Sequence, residues 1–326
     1  YQIPSVAVVV VNWNQREMLA TCLKSLEAQT WHDRTIFVVD NGSTDGSADY
    51  VEAHFPEVTL IQCGENIGFA RANNLAIRQS QSKYVALINN DAVADPDWLQ
   101  HVVAVLETDL QLGMAASKMV YHDSPEMIDR AGDGYSMAGA GILRGRGVPA
   151  KRYNHPQDIF GACAGAALYR REMLEEVGLF DEDFFLIYED VDLNFRAQLA
   201  GFACRYVPKA IVRHKASHTI GRDSDTSVYY GHRNLEWVYF KDMPGPLIAI
   251  TILPHLIYNL LAGAYFFKTG KGRTYWHAKL DAMKGLRRVF VKRKVAQKKR
   301  RVCLNALLRL FSMENPFTRL KARYVD

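Results

Sequence analysis

The sequence predicts an α/β protein with a mostly parallel central sheet, flanked by helices and followed by a helical C-terminal extension. Three observations predict it. Short β-branched runs alternate with segments of helical spacing over the first hundred residues, the pattern of a parallel sheet covered on both faces. The first four runs each stop at polar residues: Asn12 and Asn14, Asp40, Asn66, and Asn89 with Asp91. In such sheets ligands sit beyond the carboxyl ends of the strands. Formal charge then divides the chain. Residues 1–243 carry a balance of −10, residues 244–267 hold no Asp, Glu, Lys or Arg, and residues 268–326 carry +15.

The elements follow in order. Residues 6–11 are apolar and almost wholly β-branched, a strand buried on both faces. Over 15–29, Met18, Leu19, Cys22, Leu23 and Leu26 share one helical face. A second strand spans 35–39 and stops at Asp40-Asn-Gly-Ser-Thr-Asp-Gly46. Residues 47–54 read as helix, 59–62 as a third strand, 69–79 as helix and 84–88 as a fourth strand. Pro96 opens another helix at its first turn. Residues 113–160 are Gly-rich and less regular, with strands expected at 114–120 and 203–208 whose places in the sheet the pattern does not order.

Composition excludes several classes. With 326 residues, 48% hydrophobic and 23% charged, the chain is neither disordered nor fibrous. Cys22, Cys63, Cys163, Cys204 and Cys303 are widely spaced and form no CxxC pair. That excludes a zinc ribbon and a disulfide framework, and reads as reduced thiols of a cytosolic compartment. The first apolar run is too short, and lacks the basic flank, for a secretory leader.

Four constellations bear on chemistry. Asp40, at a strand end before a Gly/Ser turn, suits hydrogen bonds from a base or a ribose hydroxyl; a plain Asp-Asn-Gly turn is the alternative. No dinucleotide fingerprint or P-loop occurs at a strand–helix junction. Asn89-Asn90-Asp91 follows a buried strand, where a carboxylate suits a hard divalent cation; a helix cap is the alternative. Six acids fall between Asp181 and Asp192, interleaved with aromatics. Glu189, Asp190 and Asp192 start a helix, so they either complement its dipole or include a general base. His214 is a partner for Asp91 at a Mg²⁺ or Mn²⁺ site, with His218 its rival.

In this order the motifs resemble the family 2 glycosyltransferases of the GT-A fold. The resemblance covers residues 4–240 and rests on Val8-Val-Val-Val-Asn-Trp-Asn14, Val39-Asp-Asn-Gly-Ser-Thr-Asp-Gly46, Glu65-Asn-Ile-Gly-Phe-Ala-Arg-Ala-Asn73, Leu87-Ile-Asn-Asn-Asp91, Tyr188-Glu-Asp-Val-Asp192 and Val212-Arg-His214. With Tyr230-Gly-His-Arg-Asn234 it looks most like bacterial rhamnosyltransferases, which build cell-surface polysaccharide on a lipid carrier from dTDP-rhamnose. The resemblance implies that Asn12, Trp13 and Asp40 meet the donor base, and that Asn66, Gly68 and Asn73 line the nucleotide pocket. Asn89 and Asn90 also belong to the donor site, and Arg233 to its pyrophosphate. Asp91 and His214 would bind Mg²⁺ or Mn²⁺. Asp190 is the implied base, with Glu189 the alternative if the helix starts one residue later. Residues 161–165 would shape the donor-sugar and acceptor site. Asn89 departs from the family's Asp-x-Asp motif and leaves Asp91 as its one carboxylate. The implied activity is inverting, metal-dependent sugar transfer. A UDP-sugar donor and an inactive sugar-nucleotide-binding scaffold are the alternatives. A nucleotidyltransferase would want a Gly-rich phosphate loop after the first strand, where Asn12-Trp-Asn-Gln-Arg16 has no Gly.

The boundary falls at 243/244, between a catalytic domain (1–243) and a membrane-associating extension (244–326). Residues 244–267 are long enough to span a bilayer, but Pro244, Pro246 and Pro254 interrupt them, and Thr251, His255 and Asn259 form a polar stripe. Such a helix lies in an interface, packs on protein or pairs with a second copy more readily than it spans. Residues 268–301 hold fourteen Lys/Arg and one acid, which suits an anionic membrane surface. The acidic body argues against nucleic acid. The expected location is cytoplasmic, peripheral to the inner face of the cell membrane, with a nucleotide sugar and a lipid-linked glycan acceptor as partners.

Overall fold

The computed structural model describes residues 5–215 and 224–312. The four expected strands are present as β1 (Val6–Asn12), β2 (Arg34–Asp40), β3 (Thr59–Gln62) and β4 (Tyr84–Ile88), parallel and in the order β4-β1-β2-β3. Between them run α1 (Arg16–Glu27), α2 (Ser47–His54) and α3 (Phe69–Gln79). The β1 run is apolar throughout because both faces are covered. Val6, Val8 and Val10 share a core with Leu19, Leu23 and Leu26 of α1, whereas Ala7 and Val9 share one with Ala76 and Ile77 of α3.

The stretch that the sequence did not order contains β5 (Ala92–Ala94), α4 (Trp98–Thr108), β6 (Leu112–Tyr121), β7 (Ile128–Arg130), β8 (Asp133–Ser136), β9 (Gly141–Leu143), β10 (Gln157–Ile159), β11 (Ala166–Arg170), α5 (Arg171–Val177), α6 (Glu189–Ala200) and β12 (Ala203–His214). Pro96 lies in the turn before α4 rather than in its first helical turn; its fixed φ suits either place. The sheet runs β10-β12-β6-β11-β4-β1-β2-β3. It is parallel over the first four strands and mixed beyond them, because β11 enters antiparallel between β4 and β6. β12 continues well past residue 208. Its register against β6 shifts between Val207 and Ile211, where Pro208 cannot donate to the ladder and the strand bulges instead of ending.

The chain closes with α7 (Asp225–Asp242), α8 (Gly245–Lys268), α9 (Gly272–Lys298), α10 (Leu304–Leu310) and β13 (Phe311–Ser312). A third core joins these helices to the sheet domain. Tyr135, Phe160 and Phe195 meet Trp237 and Tyr239 of α7, Val289 of α9 and Phe311 of β13. The α7–α9 crossing is close: a Cβ on Gly285 would sit 2.6 Å from the Trp237 ring. Lys241 of α7 and Lys292 of α9 both pair with Asp181. Burial disfavours that carboxylate, but the two ammonium groups outweigh burial and hold its pKa well below the usual range.

The three prolines do not interrupt α8. Pro244 is its N-cap, Pro246 lies in the first turn and Pro254 is carried within a continuous helix. Its polar stripe faces the protein. Thr251 Oγ1 lies 2.9 Å from the Tyr239 hydroxyl, His255 Nε2 3.0 Å from Glu236 Oε2, and Lys279 Nζ donates to Asn259 Oδ1 at 2.6 Å. The apolar face therefore turns outward, exposing Ile250, Leu253, Leu256, Ile257, Leu260 and Phe267. Trp276, Leu280, Met283 and Val291 of α9 are exposed as well. By length and composition alone α8 could cross a membrane.

Candidate active site

Strand register brings Asp91 and His214 together. β12 pairs with β5 so that His214 lies opposite Ala92. Asp91 Oδ1 is 3.1 Å from His214 Nε2, and Asn89 Nδ2 is 3.2 Å from the same nitrogen. On the other side of the ring, Nδ1 is 2.8 Å from Asp129 Oδ2. A carboxylate on one ring nitrogen fixes the imidazole and leaves the other nitrogen for a cation. Burial disfavours a charged ring here, yet the bonds to Asp129 and Asp91 outweigh it and push His214 up to about 9. A proton on His214 and a divalent ion beside it are alternative positive charges at one place. A carboxylate and an imidazole nitrogen converging in this way fit Mg²⁺ or Mn²⁺. His218 lies outside the described residues.

The residues expected to line the donor pocket form a bonded chain along the strand ends. Asn12 lies opposite Asp40 in the β1–β2 register. Asn90 Nδ2 donates to Asn12 Oδ1 at 2.7 Å, and Asn12 Nδ2 donates to Ser43 Oγ at 3.2 Å and Asp40 Oδ1 at 3.4 Å. Asn12, Asp40 and Asn90 are buried, whereas Trp13 is 42% exposed beside them. Asn66 Oδ1 accepts from Asn41 Nδ2 at 2.9 Å and from the Gly68 amide at 3.0 Å. Gly68 has φ +86°, and a Cβ there would meet the Phe185 ring at 2.5 Å, so the glycine admits the turn that precedes α6. Asn73 donates to the Phe69 carbonyl of its own helix.

That turn is strained. Phe185, Ile187 and Tyr188 all have positive φ, which costs non-glycine residues energy that neighbours must offset. Asn234 Nδ2 donates to the carbonyls of Phe184, Leu186 and Ile187 at 2.6–3.0 Å. Arg233 donates to the Asp183 and Phe184 carbonyls at 3.0 Å, with its guanidinium 4.2 Å from the Trp237 ring centroid. Arg233 and Asn234 thus hold the turn that delivers Glu189 and Asp190 to the first turn of α6. Asp190 is half-buried, and its Oδ2 accepts from the Ala164 amide at 3.3 Å. Glu189 is buried with Oε2 unbonded. Burial first, then the charge of Asp190, raises its carboxyl well above the usual range.

Residues 161–165 link the two halves of the site. The Asn89 amide donates to the Gly165 carbonyl at 3.0 Å, while Ala164 reaches Asp190. Asn194 of α6 bonds both the amide and the carbonyl of Ala162. A Cβ on Gly161 would lie 2.2 Å from the Asn194 side chain, so glycine is required there. Sequence reasoning missed Asp129, Arg130 and Asp133. The available signal was three charged residues, two acids and an arginine, within five positions around Gly132.

This site lies at the carboxyl ends of strands, where open α/β sheets bind ligands, and three comparisons bear on it. The family model described as "Glycosyl transferase family 2" matches residues 7–178. The N-acetylglucosaminyl-diphospho-decaprenol L-rhamnosyltransferase of Mycobacterium tuberculosis is 30% identical over 266 residues, 72% of this chain and 83% of that protein. Two solved structures share the fold. A mannosyltransferase from Pyrobaculum calidifontis, in complex with GDP-Man and Mn²⁺, has a TM-score of 0.55 at 17% identity, covering 96% of this chain and 88% of its own. GalNAc-T7, with UDP, GalNAc and Mn²⁺, has a TM-score of 0.58 at 14% identity, covering 74% and 50%. The architecture is therefore the GT-A fold, a mixed sheet with flanking helices and a helical C-terminal part. The chain belongs to glycosyl transferase family 2 and is a glycosyltransferase.

Proposed function

We propose that the protein is an inverting, metal-dependent transferase that moves a sugar from a nucleotide donor to a hydroxyl of a lipid-linked or polysaccharide acceptor in cell-envelope glycan synthesis. The mycobacterial relative's name gives L-rhamnose as the sugar that it transfers, and dTDP-rhamnose is the donor proposed here. The observation that carries the reading is the placement of residues 161–165, which bond to the Asn89-Asn90-Asp91 segment at one end and to Asp190 at the other. Asp190 takes the acceptor proton as the hydroxyl attacks the anomeric carbon and the nucleoside diphosphate departs. Asp91 and His214 would hold the divalent cation, which would supply positive charge for the leaving diphosphate. The two Mn²⁺-containing structural neighbours support a divalent ion in this fold. Trp13 is open to stack on the donor base. Asn12, Asp40, Asn66, Gly68, Asn73, Asn89 and Asn90 shape the donor pocket, and Arg233 acts there through the turn that it holds. A single displacement inverts the anomeric centre and needs no carboxylate nucleophile. Incubation with dTDP-rhamnose, Mn²⁺ and a polyprenyl-diphosphate-linked acceptor tests this. The product should carry rhamnose with the anomeric configuration opposite to the donor's; retained configuration contradicts the reading.

We further propose a functional division at 243/244. Residues 244–326 hold the enzyme on the cytoplasmic face of the membrane, with α8 lying in the interface. The inward polar stripe of α8 and its outward apolar face support this. Exposed Arg273, Arg287, Lys294 and Lys298 of α9 supply charge for anionic headgroups. Replacing Leu253 and Leu260 together by Glu removes two exposed side chains, each contributing about 1.5–3 kcal/mol when buried in an apolar phase. The variant should sediment with phosphatidylglycerol vesicles at least about tenfold more weakly. Unchanged sedimentation, or a halved mass in solution without lipid dependence, would assign the face to protein contacts instead.

A further inference from the structure

Asp133 sits at the start of β8, where its backbone is tied to the segment that faces the acceptor: its amide donates to the Gly161 carbonyl at 2.8 Å, and the Gly161 amide donates back at 3.2 Å. The side chain is 2% exposed. Its Oδ1 accepts from Arg130 Nη1 at 2.9 Å, while Oδ2 has no hydrogen-bond partner. Oxygens of Asp133 and Asp190 and the Cys163 sulfur all lie within 4.8 Å of one another. With one of the two carboxyl groups buried and the other within 4.8 Å, the charge of Asp190 disfavours ionisation of Asp133. The groups facing Asp133 are Arg130, Cys163, Tyr169, Glu189, Asp190 and Cys204. Burial keeps the two thiols and the phenol neutral. Arg130 then brings one positive charge against three carboxyl groups, fewer charges than would balance them all. A neutral thiol also makes the trio a poor seat for a hard cation.

Resting on the assignment of Asp190 as base, we propose that Asp133 is a positioning residue for the transfer: its carboxyl shares a proton with Asp190, aims the Asp190 carboxylate at the acceptor hydroxyl and sets the pH range in which that base works. In the transfer step the acceptor O–H bond breaks and its proton goes to Asp190. The new glycosidic C–O bond forms as the bond to the nucleoside diphosphate breaks. The extra proton leaves the Asp133–Asp190 pair for solvent after product release. Burial, followed by the charge of Asp190, pushes Asp133 up to about 7, so Asp133 changes charge near neutral pH.

Two measurements test the proposal. In the first, kcat and the donor KM are followed between about pH 5 and 9. The parent should show an inflection near neutral pH. Asp133→Asn keeps a hydrogen-bond donor but no titrating proton, so it should lack the inflection and lose kcat about tenfold with KM within about twofold. The same inflection in the variant overturns the proposal. In the second, infrared difference spectra of the full-length protein without substrate report the protonated-carboxyl band across the same range. The band titrating near neutral pH should vanish in Asp133→Asn. In Asp190→Asn it should move to lower pH, because the neighbouring charge is gone. A band unmoved in Asp190→Asn overturns the proposal even if Asp133→Asn fails to fold. Full transfer activity in Asp190→Asn would instead remove the base assignment, a different failure that the infrared arm does not share.

Discussion

Asp190→Asn should abolish sugar transfer while leaving donor binding intact. The substitution keeps the size of the side chain and an oxygen to accept from Ala164, so residues 161–165 stay in place. What it removes is the lone pair that receives the acceptor proton. General base catalysis contributes about 10²- to 10⁴-fold, and kcat should fall by that amount with the donor affinity within about twofold. Glu189 is the natural substitute, but it is buried, with burial and then the charge of Asp190 raising its pKa well above the usual range. Its burial keeps it from a bound acceptor, and Glu189→Gln should act mainly through the fold of the turn. Single-turnover measurements separate the two. Near-normal chemistry in Asp190→Asn would take the base role away from that residue.

Asp91→Ala should remove metal-dependent donor binding. Asp91 is the one carboxylate in the 89–91 segment, and a divalent ion left with His214 alone has a single protein ligand there. Donor affinity in Mn²⁺ should drop about 100-fold or more, while the smaller metal-independent affinity persists. Asp129→Asn is the graded companion. It leaves both ligands but loosens the His214 ring, so its loss should be about 10- to 100-fold in metal affinity. Calorimetry with and without Mn²⁺ reads both. Equal donor affinity for the parent and Asp91→Ala would place the cation elsewhere.

The first four strands and their helices were legible because each carries a local signal. β1 is apolar on both faces and α1 has a clear buried stripe. The strand-end residues Asn12, Asp40 and Asp91 follow from those boundaries. The second half was not legible for equally local reasons. β7, β8 and β9 are three or four residues long, too short to show alternation. β7 pairs with the preceding β6 and β8 with the following β9, but β8 is also held by Gly161 and by β13, which its own sequence does not announce. Asp129, Arg130 and Asp133 ride on those strands and escaped notice for that reason. The Tyr230-Gly-His-Arg-Asn234 segment was recognised as a motif, but its work on the 184–187 carbonyls depends on a positive-φ turn that residue types Phe, Ile and Tyr do not announce. In α8 the polar stripe was readable from spacing. Which side it faced was settled by partners on α7 and α9, namely Tyr239, Glu236 and Lys279.

Whether this glycosyltransferase takes an activated sugar held through a divalent cation is tested by calorimetric titration of the full chain. The titrants are dTDP-rhamnose and a set of UDP-sugars, each with and without Mn²⁺ or Mg²⁺. Saturable binding of one donor, dTDP-rhamnose first, should depend on the metal and disappear in Asp91→Ala. Binding of none of these donors under any metal condition would contradict it.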